Sequence, residues 1–135
     1  MLKEVCLSHV RYGHFDNVIE VHGNAHDHLG PAKVLFNAFY GRKKELEKAL
    51  GKGSAEAHNQ AWLEVNFEDR FIAQMLDDVD ALVELEKISE QSKSKDIHLA
   101  CYEGNAKACH RRILLRLCET AFDAEIEVQG VEPKN

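Results

Sequence analysis

Residues 95–122 constrain the fold of this chain more than any other stretch. They read KDIHLACYEGNAKACHRRILLRLCETAF. Residues 97–102 are nearly all apolar, which is typical of a parallel strand that is covered on both faces. After residue 108 the apolar positions recur with the period of a helix, and Arg112 and Arg116 fall on the opposite, solvent-facing side. The stretch therefore predicts a strand over 97–102, a polar turn and an amphipathic helix over 108–122.

The rest of the chain supplies strands and helices on both sides of this unit. Periodicity and turn residues predict six further elements: strands over 4–9, 17–22 and 124–129, and helices over 31–50, 57–76 and 77–89. Strands separated by helices indicate an α/β fold, and right-handed crossovers favour a parallel or mixed sheet flanked by helices. Because the chain has 135 residues, we expect a single compact α/β domain over residues 1–135.

Helical spacing also predicts which side chains pack inside. The aromatic residues of the segment 57–76 are expected in the core rather than on an exposed platform for stacking nucleic-acid bases. Four apolar side chains of the segment 77–89, with Asp77 as its N-cap, are expected to face inward. The two inward sets are Trp62, Phe67 and Phe71 in the first segment and Val79, Leu82, Val83 and Ile88 in the second.

Composition narrows the class of partner. The chain has 17 Lys and Arg against 23 Asp and Glu, a net charge of −6, so a polyanion such as nucleic acid is repelled by the bulk charge. Nucleic-acid binding would need a local basic cluster, of which residues 42–44 form one. No apolar run approaches the roughly 20 residues of a membrane span, and the N-terminus lacks the apolar core of a secretory signal. The four cysteines lack the dense spacing of a disulfide scaffold, so we expect a cytoplasmic protein with reduced thiols and no membrane partner.

The turn at 103–108 is the first place to look for a ligand. Ligands of parallel sheets bind beyond the carboxyl ends of the strands, where helix N-termini attract phosphate or carboxylate groups. Helical geometry turns His110 toward the sheet and Arg111 about 100° away, toward the rim. We therefore predict an anionic small molecule, such as a nucleotide or phosphate, with Lys107, Cys109 and Arg111 as its ligands. The alternative is purely structural, with Arg111 paired to Glu103.

The same turn offers catalytic groups. Cys101 ends a strand beside cations, which favours a thiolate nucleophile, although a small buried hydrophobic residue is the alternative. Glu103 and His110 are candidates for a general acid and base. Cysteine-dependent phosphatases and sulfurtransferases carry an Arg six residues after the Cys, whereas Lys107 stands at that position here.

A second candidate site is the segment HGNAHDH, residues 22–28. In an extended segment alternate side chains share one side, which would bring His26 and His28 together. Two histidines with a carboxylate or thiol suffice for a transition metal. A metal-dependent enzyme that uses His22, His26 and His28 is therefore one alternative, and a solvated loop is the other.

The stretch LACYEG at 99–104, followed by Cys109, His110 and Arg111 at the start of a helix, resembles the C-terminal signature of the domain of unknown function 488 family. That signature is an apolar strand that ends in Cys-x-Glu, a short variable turn and Cys-His-Arg. The segment LGPAK at 29–33 is similar to the family's Leu-Ala-Pro-Ser segment before a helix. The resemblance implies a compact α/β fold with no assigned activity.

The site residues to which this resemblance points are Cys101, Glu103, Cys109, His110 and Arg111. Three functions stay open at this stage. The first is an anion-binding protein with hydrolase or transferase activity, the second is a non-catalytic module for a protein or nucleic-acid partner, and the third is the metal-dependent enzyme. The residues themselves name no cofactor.

Overall fold

The apolar stretch after residue 96 forms the central strand of a parallel sheet. The computed structural model describes residues 1–10, 13, 15–23 and 28–134. Within them the strands are β1 (Leu2–Cys6), β2 (Val18–Glu20) and β3 (Ile97–Cys101). Both outer strands run parallel to β3, in the order β1-β3-β2. The predicted α/β fold with a parallel sheet flanked by helices is thus confirmed.

Six helices cover this sheet in the described part of the chain. They are α1 (Leu7–Val10), α2 (Lys33–Leu50), α3 (Ala55–Glu64), α4 (Phe67–Leu76), α5 (Val79–Gln91) and α6 (His110–Phe122). Helix α6 packs against β1 and β3, and also against α4 and α5. Its N-terminus follows the carboxyl end of β3 after a short turn, so the predicted strand, turn and helix are confirmed. Among the described residues, no helix has the length and apolar character that crossing a membrane requires.

Local backbone chemistry sets several helix ends. The Ser54 side chain accepts a hydrogen bond from the N–H of Ala57 and so caps α3. Asp78, not the expected Asp77, caps α5 through the N–H of Ala81. Asn66 has a left-handed backbone with φ of 54°, which divides the predicted helix 57–76 into α3 and α4.

The core contains the predicted aromatic cluster. Trp62, Phe67 and Phe71 are buried, and the rings of Trp62 and Phe67 stack with centroids 3.9 Å apart. Core packing, rather than an exposed stacking platform, is therefore confirmed for these side chains.

The expected inward face of α5 is wrong in part. Val79 and Val83 are 74% and 60% exposed, whereas Ala81, Leu85 and Ile88 are buried. The exposed set and the buried set both have helical spacing, so periodicity alone does not decide which of the two faces inward. The contact of α5 with α6 selects the stripe that contains Leu85.

Two predicted strands also differ from the structure. The first strand ends at Cys6, and residues 7–9 of the predicted strand belong to α1 instead. The segment 124–129 forms one isolated parallel bridge, between Leu2 and Ile126, rather than a strand. It nevertheless lies along β1, since the Leu2 N–H donates to the Glu125 carbonyl and the Leu2 carbonyl accepts from Glu127.

Candidate functional site

The turn between β3 and α6 is held in place from α3. The Asn59 side-chain amide donates to the Ala106 carbonyl at 3.0 Å, and its oxygen accepts from the N–H of Ala108 at 2.8 Å. The next contact is between His58 Nε2 and the Ala108 carbonyl, at 2.7 Å. Two consecutive residues of α3 therefore fix the backbone that leads into α6.

Arg111 and Arg112 are buried side by side against Glu4 of β1. Arg111 Nε lies 2.8 Å from Glu4 Oε1, and Arg112 Nε lies 3.0 Å from the same oxygen. The second carboxylate oxygen, Glu4 Oε2, accepts from the backbone N–H of Gln129 at 2.8 Å and of Gly130 at 3.4 Å. The carboxylate thereby joins β1, α6 and the C-terminal segment.

These two arginines also donate hydrogen bonds to backbone carbonyls of the turn. Arg111 Nη1 donates to the Glu103 carbonyl at 2.7 Å, and Arg112 donates to those of Lys107 at 2.6 Å and Gly104 at 3.0 Å. The expected rim position of Arg111 and the expected solvent-facing position of Arg112 are both wrong, since they are 0% and 1% exposed. Their charges are used within the domain, because a buried guanidinium requires a counter-ion and hydrogen-bond acceptors.

Cys101, Cys109 and His110 form a compact cluster at the carboxyl end of β3. Their ligand atoms all lie within 4.8 Å of one another, and all three residues are buried. Cys109 occupies the N-cap position of α6, with its Sγ 3.9 Å from His110 Nδ1. His110 Nε2 lies 2.7 Å from the Val21 carbonyl, so this nitrogen carries a proton and donates. Nδ1 is then the ring nitrogen that faces the Cys109 thiol.

Glu103 lies beside this cluster. Its Oε2 is 3.7 Å from Cys101 Sγ. Burial raises the pKa of the Glu103 carboxyl, and negative charge on Cys109 raises it further. A raised pKa favours the protonated carboxyl, which is the form that acts as a general acid.

The two thiols differ in acidity. The hydrogen bond with Cys109 and burial raise the pKa of Cys101. For Cys109, burial opposes ionisation, but hydrogen bonds from Cys101 and His110 and the charges of His110 and Arg111 outweigh it and hold the pKa well below its usual range. For His110, burial lowers the pKa, while the contacts with Cys109 and the Val21 carbonyl outweigh it and raise the pKa. The favoured ionic state is a Cys109 thiolate against a protonated His110.

This cluster opens into a cleft of about 910 Å³. One wall is the face of α2 on which side chains recur every three or four residues. That face contributes Lys33, Phe36, Asn37, Tyr40 and Lys43. The remaining wall includes His22, His58, Tyr102, Glu103 and the Cys101–Cys109–His110 cluster.

The predicted cation of the turn, Lys107, has a different environment. In the described part of the chain, Lys33 and Lys43 line the cleft and Lys107 does not. Lys107 contributes its carbonyl to Arg112. The expected contact of Lys107 with a ligand stays a prediction. The cations that line the cleft itself are the two α2 lysines.

The two described histidines of the 22–28 segment, His22 and His28, contact different acidic residues. His26 lies outside the described residues. His22 Nε2 lies 3.1 Å from Glu20 Oε1, and the His22 ring lies beside that of Tyr102 in the cleft. His28 Nδ1 lies 3.2 Å from Asp78 Oδ2, at the start of α5.

Sequence reasoning overlooked the α3 and β1 contributions to this site. Glu4 could have been singled out as a carboxylate directly before the apolar residues 5–7, in a chain with adjacent arginines at the start of its last helix. His58 and Asn59 have no comparable signal, because their partners are backbone groups far along the chain.

The family model described as DUF488-N3a, the active DUF488-N3 subclade, matches residues 20–121, which is more than half of the chain. The chain belongs to the DUF488 family. The matched span includes the complete Cys-x-Glu and Cys-His-Arg signature, while Glu4 lies before it. Neither the curated proteins nor the solved structures contain a match to this DUF488 protein.

Proposed function

We propose that this DUF488 protein binds an anionic small molecule of the nucleotide or phosphate-ester class in the cleft, and that it transfers or hydrolyses a group there through Cys109. The observation that carries this proposal is the position of Cys109. Cys109 is the N-cap residue of α6, and its Sγ lies 3.9 Å from His110 Nδ1. It lines the same cleft as Glu103. A nucleophile, a cationic partner and a candidate proton donor therefore face one ligand-sized space.

Charge supports an anionic ligand. Lys33 and Lys43 line the cleft from one face of α2, and the N-terminus of α6 adds its backbone dipole. The two neighbours of Lys43 are already paired, Arg42 with Glu64 and Lys44 with Glu47. Two lysines and a helix N-terminus around a cleft favour phosphate or carboxylate over a neutral ligand.

Aromatic side chains support a ligand with a planar ring. Phe36 and Tyr40 stack on one another with centroids 5.9 Å apart, although they are 47% and 45% exposed. Tyr102, across the cleft entrance, is 60% exposed. Inorganic phosphate gains nothing from such exposed rings, whereas a nucleobase stacks on them. A nucleotide satisfies both the lysines and the aromatic residues.

The proposed reaction has two steps. The Cys109 thiolate attacks the electrophilic atom of the substrate, so the new bond to sulfur forms as the bond to the leaving group breaks. Glu103, in its protonated form, gives its proton to the leaving group. Water then attacks the sulfur-linked intermediate while the Glu103 carboxylate takes the proton of water, which releases the product and restores the thiolate. An acceptor other than water would make the same centre a transferase.

This assignment moves the nucleophile from Cys101, the residue expected from the sequence, to Cys109. Cys101 ends β3, where its Sγ lies within 4.8 Å of Cys109 Sγ. A donor S–H beside the attacking sulfur stabilises the thiolate. We therefore propose that Cys101 positions the nucleophile and that His110 holds its charge.

A ligand panel with matched variants tests the proposal. Nucleoside mono-, di- and triphosphates and inorganic phosphate are screened by thermal shift, and each stabilising nucleotide is then assayed for turnover. We expect a nucleotide to stabilise the wild type and Cys109→Ser alike, with turnover lost only in Cys109→Ser. Cys118→Ser, a buried cysteine of α6 whose Sγ contacts the Leu85 carbonyl, is the control and should keep its turnover.

Two results would contradict the proposal. Stabilisation by no member of the panel would remove the ligand class, and turnover that survives in Cys109→Ser would remove the nucleophile. Binding without any turnover would instead identify the cleft as that of a non-catalytic interaction module.

A further inference from the structure

We infer that Cys101, Cys109 and His110 also form a site for a soft divalent cation such as Zn²⁺. This goes beyond the proposed function, since it requires no substrate and no turnover. The three ligand atoms, two sulfurs and one imidazole nitrogen, all lie within 4.8 Å of one another. Two thiolates and one imidazole are a ligand set that zinc uses in proteins, where a fourth position is left for water or substrate.

The spacing is close to that of a tetrahedral metal site. Zinc bonds of about 2.3 Å to sulfur and about 2.0–2.1 Å to nitrogen place neighbouring ligand atoms roughly 3.5–4 Å apart. The separation of Cys109 Sγ and His110 Nδ1 is 3.9 Å, and that of each other pair is at most 4.8 Å. Small side-chain movements therefore suffice to close the three atoms around an ion.

The histidine is oriented as a metal ligand. Its Nε2 lies 2.7 Å from the Val21 carbonyl, which fixes the proton on that nitrogen in the neutral ring. An ion that displaces the Nδ1 proton would then meet a lone pair that faces the Cys109 sulfur. Histidine ligands in proteins usually donate their other ring nitrogen to a carbonyl or carboxylate in this way. Phe71 also packs its edge against the ring, with centroids 5.4 Å apart, and restricts its rotation.

The cluster offers a fourth position on the cleft side. All three residues line the cleft, so an ion held between them would face it. Glu103 also lines the cleft, and its Oε2 lies 3.7 Å from Cys101 Sγ. The carboxylate or a water molecule is therefore available to complete the coordination of the ion.

The proposed metal site thus lies at the start of α6 and not in the 22–28 segment, where the sequence predicted one. His28 does lie in a second group, with Asp78 and Asp80, but that group is largely exposed and contains two carboxylates. A soft cation favours the two buried sulfurs.

Metal binding and nucleophilic attack exclude one another at Cys109. A thiolate bound to zinc shares its lone pair with the ion and reacts slowly with an electrophile. The ion would therefore control how much reactive Cys109 is present. Because iodoacetamide alkylation measures this reactivity directly, no knowledge of the substrate is needed.

Cobalt titration of the full chain tests the site. The protein is treated with a chelator and a non-thiol reductant, and Co²⁺ is then added while the absorption is recorded. We expect one equivalent of Co²⁺ to produce a sulfur-to-cobalt charge-transfer band, which Zn²⁺ then removes. Cys101→Ser and Cys109→Ser should each reduce the band and weaken affinity by about 10-fold or more. Cys118→Ser, outside the cluster, should bind as the wild type does.

A second measurement uses the same proteins. Mass spectrometry follows iodoacetamide alkylation of Cys109 with and without Zn²⁺. We expect Zn²⁺ to slow this alkylation in the wild type and Cys118→Ser, with little effect in Cys101→Ser. These serine variants retain His110 and its bond to Val21, so each is compared with the wild type by circular dichroism before titration.

The inference is overturned if no charge-transfer band forms, if both serine variants at 101 and 109 bind Co²⁺ as the wild type does, or if Zn²⁺ leaves the alkylation rate unchanged. Its failure is distinct from that of the proposed function. Nucleotide turnover that needs Cys109 in a protein without Co²⁺ affinity would remove only the metal site. Co²⁺ binding in a protein that no nucleotide stabilises would remove only the ligand class.

Discussion

Substitution of Glu4 by Gln is expected to destabilise this domain strongly. The amide keeps the volume of the side chain but removes the charge that Arg111 and Arg112 share at 2.8 and 3.0 Å. Both guanidinium groups are buried, and Glu4 is 2% exposed. The variant therefore leaves two buried cations with a neutral neighbour, and its amide N–H₂ also approaches groups that donate.

The expected cost follows from this burial. Removing one partner of a buried ion pair costs about 3–5 kcal/mol, and two arginines depend on one carboxylate here. Since domains are stable by only about 5–15 kcal/mol, this loss is a large fraction of the total. For a domain of this length it corresponds to a fall in melting temperature of about 11–18 °C.

Urea unfolding at neutral pH, followed by circular dichroism, measures the change. Glu86→Gln, which removes one carboxylate from the exposed side of α5, is the matched control and should stay within about 0.5 kcal/mol of the wild type. The loss in Glu4→Gln should also persist at high salt, because buried pairs are weakly screened. If Glu4→Gln is no less stable than Glu86→Gln, the two arginines do not depend on this carboxylate.

Two further predictions concern stability. Burial lowers the pKa of His58 from 6.5 to about 4, so below pH 6.5 the unfolded chain gains a proton that the folded chain does not. Stability should therefore fall as pH drops from 6.5 to 4, by up to about 3 kcal/mol. Urea unfolding across this range checks the fall, and a slope in His58→Gln equal to that of the wild type would assign it to other groups. A Cβ on Gly130 would overlap the Arg112 guanidinium, which Glu4 and the Lys107 carbonyl hold in place, so Gly130→Ala should cost about 1–3 kcal/mol. Gly41→Ala, in open space on α2, should instead add about 1 kcal/mol, and equal melting temperatures for the two variants would contradict this account.

The unit around β3 was predictable because its signals are local. The apolar run over 97–102 and the helical period after residue 108 each depend on near neighbours in the sequence. The observed strand and helix, Ile97–Cys101 and His110–Phe122, begin and end within two residues of the predicted ones. A strand that leads through a short turn into a helix necessarily brings its last residues close to the helix N-terminus.

The same local signals could not place the arginines. Helical periodicity assigns a charged residue to the solvent side, which is correct for Arg116, at the surface beside Glu132. It fails for Arg112, because Glu4 reaches the start of α6 from the other end of the chain and the segment 129–131 covers it. A buried charge depends on a particular partner, and the residue pattern along one helix does not identify that partner.

The sequence by itself determined that an α/β domain forms and that the strand ending at Cys101 leads through a short turn into a helix that begins at Cys109 and His110. Both follow from preferences that each residue expresses with its near neighbours. Only the tertiary structure decided which face of α5 is buried, that Arg111 supports the turn instead of lining its rim, and that lysines of α2 line the cleft. These features depend on contacts between segments far apart in the chain. Such contacts contribute free energy only after the segments have packed together.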